Sequence, residues 1–248
     1  MDFIYPQWPA PKNVRALSTQ RFGAASKPPY DSFNLAMHVN DENADVMTNR
    51  QLLVEQAKLP SQPFWLEQTH STDVVELVAD KTLADRPINA DGAITRQRNT
   101  VCSVLTADCM PVLLTNKMGN CVAAVHAGWR GLANGILEKA VAAMNCPAKD
   151  IIAWAGPCIG PNAFEVGMEV REQLGGPDSA YTASPNSSSK IPKVYADLVA
   201  LAQFRLQALE INAFSASGAC TYSDKTNFFS YRRTGQCGRM ATLIWIES

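Results

Sequence analysis

Val101-Cys102-Ser103-Val104-Leu105-Thr106-Ala107-Asp108-Cys109-Met110-Pro111-Val112-Leu113-Leu114, then Cys121-Val122-Ala123-Ala124-Val125-His126-Ala127-Gly128-Trp129-Arg130-Gly131-Leu132, is the most informative part of the chain. Its three apolar runs, at 101–105, 112–114 and 121–125, are short and bounded by turn residues, so they read as strands. The third ends at His126, turns on two glycines and enters an apolar segment, 132–144, that reads as a helix. Working outward, apolar spacing predicts a helix over 45–58 that carries Arg50 and stops before Leu59-Pro60. Further strands are expected at 65–66, 74–77, 93–95, 151–155 and 241–246, and further helices at 168–174 and 195–209. Strands and helices interleave without strict alternation. That pattern favours a layered α/β/α arrangement with mixed sheets over a doubly wound parallel sheet.

The polar, glycine- and proline-rich region 175–192 contains Pro185-Asn186-Ser187-Ser188-Ser189-Lys190 and reads as an exposed loop. Core-like sequence on both sides makes it an insertion rather than a linker, so residues 1–248 are expected to form one domain. Hydrophobic residues at 46% and charged residues at 18% exclude intrinsic disorder. A net charge of −1 gives no reason to expect nucleic acid or an anionic membrane as partner. The N-terminus lacks a basic start followed by an apolar run, which predicts a cytoplasmic protein. The cysteines number seven, with no CxxC pair, so a disulfide framework is not expected.

The chain has only three histidines, His38, His70 and His126, each at the edge of an apolar run beside polar or glycine-rich residues. Such positions are where loops converge on a pocket. Leu66-Glu67-Gln68-Thr69-His70 is a run leading into a histidine, and Asp108-Cys109-Met110-Pro111 breaks two apolar runs. One cysteine and two histidines form a mixed ligand set suited to zinc, and three protein ligands leave a fourth position for water or substrate. The helix entry after Gly128, with Arg130, suits an anion. HExxH, the deaminase PCxxC motif, a Walker A loop and GxGxxG after a strand are all absent. A hydrolase with Cys109 as nucleophile and His126 as base also accords with these residues.

The sequence resembles the YfiH-like family, also called the laccase-domain or multicopper polyphenol oxidase family and the peptidoglycan editing factors. The likeness rests on Asn34-Leu35 with His38-Val39, Asn49-Arg50, Gln68-Thr69-His70, Ala90-Asp91-Gly92, the block from Leu105 to Pro111, and His126-Ala127-Gly128-Trp129-Arg130-Gly131. It continues through Gly156-Pro157-Cys158-Ile159-Gly160-Pro161, Glu165-Val166-Gly167, Phe229-Ser230-Tyr231-Arg232-Arg233 and Gly238-Arg239-Met240-Ala241. Ala36 and Asn40 stand where the family pattern has glycine, and Thr234 where it has aspartate.

The resemblance implies a layered fold similar to certain cysteine hydrolases, zinc on His70, Cys109 and His126, and Asn34, His38 and Arg50 holding phosphate or substrate. It implies purine nucleoside phosphorolysis of adenosine, inosine or methylthioadenosine, together with adenosine deamination. The alternative it carries is amide hydrolysis on peptidoglycan precursors. In that frame Asp108 or Asp91 would move the proton, and Phe229 to Arg233 would stack on a purine with Arg232 on an anion. A laccase needs a blue copper and a trinuclear cluster, which require far more than three histidines. A single copper in place of zinc would support weak oxidase activity in vitro.

Overall fold

Cys102–Thr106 and Met110–Asn116 are consecutive strands, yet they lie in different sheets. The computed structural model describes residues 2–78 and 88–248. The first strand closes a four-stranded antiparallel sheet in the order Phe3–Ile4, Val14–Thr19, Met240–Ile246, Cys102–Thr106. The second belongs to a six-stranded sheet in the order Ala213–Ala216, Ile151–Ala155, Met110–Asn116, Val122–Ala127, Gly92–Thr95, Val74–Glu76. Its two outermost pairings are parallel and the inner ones antiparallel, so the sheet is mixed as expected.

Side chains alternate between the faces of a strand, which fixes what each sheet meets. Val104, Ile244 and Ile246 of the first sheet pack against Leu113, Val122, Ala124 and Trp154 of the second. On the outer face of the first sheet, Leu17, Leu105 and Leu243 meet Leu53 of the helix Asn43–Gln56. On the outer face of the second, Val112, Leu114, Val125 and Ala153 meet Leu137 and Ala140 of Ile136–Met144, and Leu201 and Ala202 of Leu198–Ala208. The result is a layered α/β domain whose β layer is two sheets deep. Burial on both faces explains why the central strands read as near-continuous apolar runs.

Three boundaries differ from expectation. The helix predicted over 132–144 is two helices, Trp129–Ala133 and Ile136–Met144, because Gly135 takes φ 92° between them, a conformation that favours glycine. The helix predicted over 195–209 starts later, at Leu198–Ala208. Asp197 caps it by accepting the N–H groups of Val199 and Ala200, while Lys193–Ala196 is a strand. The region 175–192 is not loop throughout: Tyr181–Ala183 pairs with Lys193–Ala196, which also pairs with Glu165–Gly167. The sequence reading also missed Val14–Thr19 and Ala213–Ala216. All seven cysteines are free. Among the described residues no helix is long and apolar enough to cross a membrane.

Candidate metal centre and its cavity

The crossing from one sheet to the other takes only Ala107, Asp108 and Cys109. Asp108 makes the turn with φ 92°. Its carboxylate is occupied, accepting from Thr221 Oγ1 (2.6 Å), Ser230 Oγ (3.0 Å) and the Arg232 N–H (2.6 Å). Cys109 is thereby set at the end of the two-sheet sandwich. His126 lies inside the strand Val122–Ala127 rather than in a turn, opposite Pro111, and is 4% exposed. His70 occupies the loop after Leu66–Glu67 with φ 60°. Gln68 ties that loop to the first sheet, exchanging hydrogen bonds with both main-chain groups of Leu105.

The three ligand atoms lie within 4.8 Å of one another, an arrangement that could hold one metal ion. Cys109 Sγ is 3.8 Å from His70 Nε2, and the two imidazoles stand edge to face at 4.9 Å. Gly128 makes room for this: a Cβ there would stand 3.1 Å from both Cys109 Sγ and His70 Cδ2.

Asp91 organises two of the three groups. It is fully buried, and its Oδ1 lies 2.7 Å from His126 Nδ1, leaving Nε2 for the centre. The same carboxylate accepts the successive N–H groups of Thr69, His70 and Ser71, and the Ser71 hydroxyl. Burial alone would raise its pKa, but the hydrogen bonds from His126 and Ser71 outweigh it and hold the carboxyl at about 2. Burial likewise opposes a thiolate at Cys109, yet the His126 and His70 imidazoles bring its pKa down. Burial opposes charge on His126, while Cys109 and Asp91 raise its pKa. The donor set is already biased toward the deprotonated sulfur that a metal needs.

A cavity of about 580 Å³ opens over the cluster, walled by His38, Trp129, Arg130, Phe164, Tyr231, Arg232 and Arg239 among others. Of the anion-binding residues expected from sequence, His38 and Arg232 face this space and Asn34 and Arg50 do not line it. Asn34 is fully buried. Its amide donates to Ala36 O and Asp41 Oδ2, and its carbonyl accepts from the N–H groups of Ala36 and Arg239. Arg50 donates to Leu35 O and stacks on Trp65 at 4.2 Å, and burial pushes its pKa down to about 10. Arg130 stacks on Trp129. Phe229, expected to stack on a ligand, is 1% exposed and packs inside, with Arg21 over its ring; Tyr231 is the exposed aromatic at the cavity. Sequence reasoning gave no role to Arg239 or Phe164. The signals for Arg239 were its place in the block Gly238-Arg239-Met240-Ala241 and at the entry to an apolar strand.

Among the described residues this is the one group of histidines, cysteines or carboxylates spaced to share an ion. It suits a single ion on nitrogen and sulfur and does not build a multi-copper centre. A layered α/β protein with one mixed imidazole–thiolate ligand cluster under a cationic cavity is the class that fold and site define. Residues 15–247 match the multi-copper polyphenol oxidoreductase laccase family, and the chain belongs to it. It is 45% identical over 243 residues to the Shigella flexneri protein named purine nucleoside phosphorylase YfiH, covering 98% of each chain. It is 46% identical over 248 residues to a Haemophilus influenzae protein named purine nucleoside phosphorylase, covering 100% of each. Among solved structures, Neisseria meningitidis protein NMB0706 superposes with a TM-score of 0.91 at 38% identity, and YlmD from Geobacillus stearothermophilus with 0.89 at 27%. Both alignments cover 100% of each chain.

Proposed function

We propose that this chain is a zinc-dependent purine nucleoside phosphorylase, converting adenosine, inosine or methylthioadenosine and phosphate to base and ribose 1-phosphate, with adenosine deamination as a second activity. The observation that carries this reading is the His70–Cys109–His126 cluster at the floor of a cavity large enough for a nucleoside and rimmed by cations. The names of full-length relatives support it. When bound, a divalent ion would supply Lewis acidity to an oxygen beside it.

The chain's own residues do the rest. His70, Cys109 and His126 would hold the ion, and Asp91 fixes the tautomer and direction of His126. Tyr231 and Trp129 offer ring faces to a purine, and the arginines hold anionic oxygen in place. Positioning and charge stabilisation thus carry the rate. Asp108, with both oxygens engaged, shapes the turn and places the Arg232 backbone.

Zinc-loaded protein given inosine and phosphate should release hypoxanthine and ribose 1-phosphate, with release tracking phosphate concentration. No release at any phosphate level would refute phosphorolysis. Adenosine should also yield ammonia without phosphate. The amidohydrolase reading keeps one observation in its favour, the Asp91–His126 pair beside a low-pKa Cys109. Phosphate-independent cleavage of a serine-containing muramyl nucleotide, with no nucleoside turnover, would replace our reading with that one.

A further inference from the structure

The cavity wall carries three guanidiniums, and they are held very differently. Arg130 and Arg232 are exposed: the first lies on its neighbour Trp129, and the second lies over Phe164 and donates Nη1 to Glu165 O. Arg239 is half-buried and gripped at both ends. Its N–H donates to Asn34 Oδ1 (2.9 Å) and its carbonyl accepts from the Leu35 N–H (3.3 Å). Its Nη1 donates to Cys237 O (2.7 Å) and Gly238 O (3.1 Å), and its guanidinium lies 5.7 Å from the Tyr231 ring. The preceding residue allows no slack, since a Cβ on Gly238 would come within 2.6 Å of the Phe229 ring and 2.9 Å of Asn34 Cβ.

Among the described residues, Nε and Nη2 of Arg239 have no protein acceptor. The acid on the cavity wall, Asp108, cannot supply one, because its oxygens are taken by Thr221, Ser230 and the Arg232 N–H. His38 lines the same cavity, where burial, then Arg239, then Arg50 lower its pKa against an opposing pull from Glu67. A half-buried guanidinium held at Nη1, with no protein carboxylate hydrogen-bonded to it among the described residues, suits an oxyanion.

We propose that Arg239, assisted by His38, is the oxyanion subsite of this cavity, that it binds inorganic phosphate, and that Asn34 is its positioning residue through the main chain. This deepens the phosphorolytic reading and rests on it for the identity of the anion. It would give Asn34, fully buried, an influence on a ligand it does not touch.

The test uses the full-length zinc-loaded protein and reads inorganic phosphate binding directly by calorimetry without nucleoside, then the KM values for phosphate and inosine separately. Arg239→Ala should weaken phosphate binding and raise its KM roughly 10- to 100-fold, the loss expected for charge-assisted hydrogen bonds, while the KM for inosine stays within a few-fold. Arg239→Lys should recover part of the loss, because charge returns without the planar fork. If Arg239→Ala folds poorly, Arg239→Gln preserves bulk and should show the same loss. A folded Arg239→Ala or Arg239→Gln protein that binds phosphate like the parent overturns the proposal. Arg239-dependent phosphate binding without any nucleoside cleavage would leave the subsite standing and remove phosphorolysis instead.

Discussion

Asp91→Asn is the sharpest perturbation of the centre, because it changes one atom of a fully buried side chain. The carboxylate accepts from Thr69 N (3.2 Å), His70 N (3.1 Å), Ser71 N (2.6 Å) and Ser71 Oγ (2.8 Å), and pairs with His126 Nδ1 at 2.7 Å. An asparagine keeps one oxygen, and its NH2 must then face either the Thr69 and Ser71 donors or those of His70 and His126. At least two hydrogen bonds to a charged acceptor are lost, and donors are left opposed in a buried place. The expected destabilisation is about 3–5 kcal/mol, read by urea unfolding of the metal-free protein. Metal affinity should fall roughly 10- to 100-fold, read by competition with a chromophoric chelator. The acid limb gives a second reading. Asp91 titrates at about 2 in the fold, below its ordinary value. Its contribution is therefore complete above roughly pH 4 and is lost as pH falls toward 2, and the asparagine variant should lack that dependence. A variant within about 0.5 kcal/mol of the parent, with unchanged metal affinity, would refute the clamp.

Cys109→Ser replaces a thiolate by a hydroxyl that stays protonated near neutrality; metal affinity, measured by competition with a chromophoric chelator, should fall by more than the roughly 10- to 100-fold typical of an outer partner. Gly128→Ala places a Cβ 3.1 Å from Cys109 Sγ and His70 Cδ2, so metal affinity should fall while far-ultraviolet circular dichroism is unchanged. Trp154→Ala empties the space between the sheets, where the ring is 1% exposed, and should cost about 3–5 kcal/mol in denaturant unfolding without changing metal stoichiometry in the folded protein.

The strands around Cys109 and His126 are legible in the sequence because they are buried on both faces and carry unbroken apolar runs. Val14–Thr19 is not: Arg15 and Ser18 interrupt it, and the longer of its two partners in the sheet is Met240–Ile246, at the other end of the chain. The residues of the ligand trio are legible by type. Their convergence is not, since it depends on a left-handed turn at Asp108 and on Asp91 holding the His70 loop. Arg50 and Asn34 show the limit of motif reading, for both are tied to main-chain groups behind the wall that Arg239 completes.

The switch of the chain between sheets at Cys109 has a mechanical side. One prospective ligand belongs to the second sheet, another to the joint, and the third to a loop fastened to the first sheet through Gln68. An ion seated among them would work as a rivet through both slabs, so that slippage between the slabs and loss of the ion would become a single event.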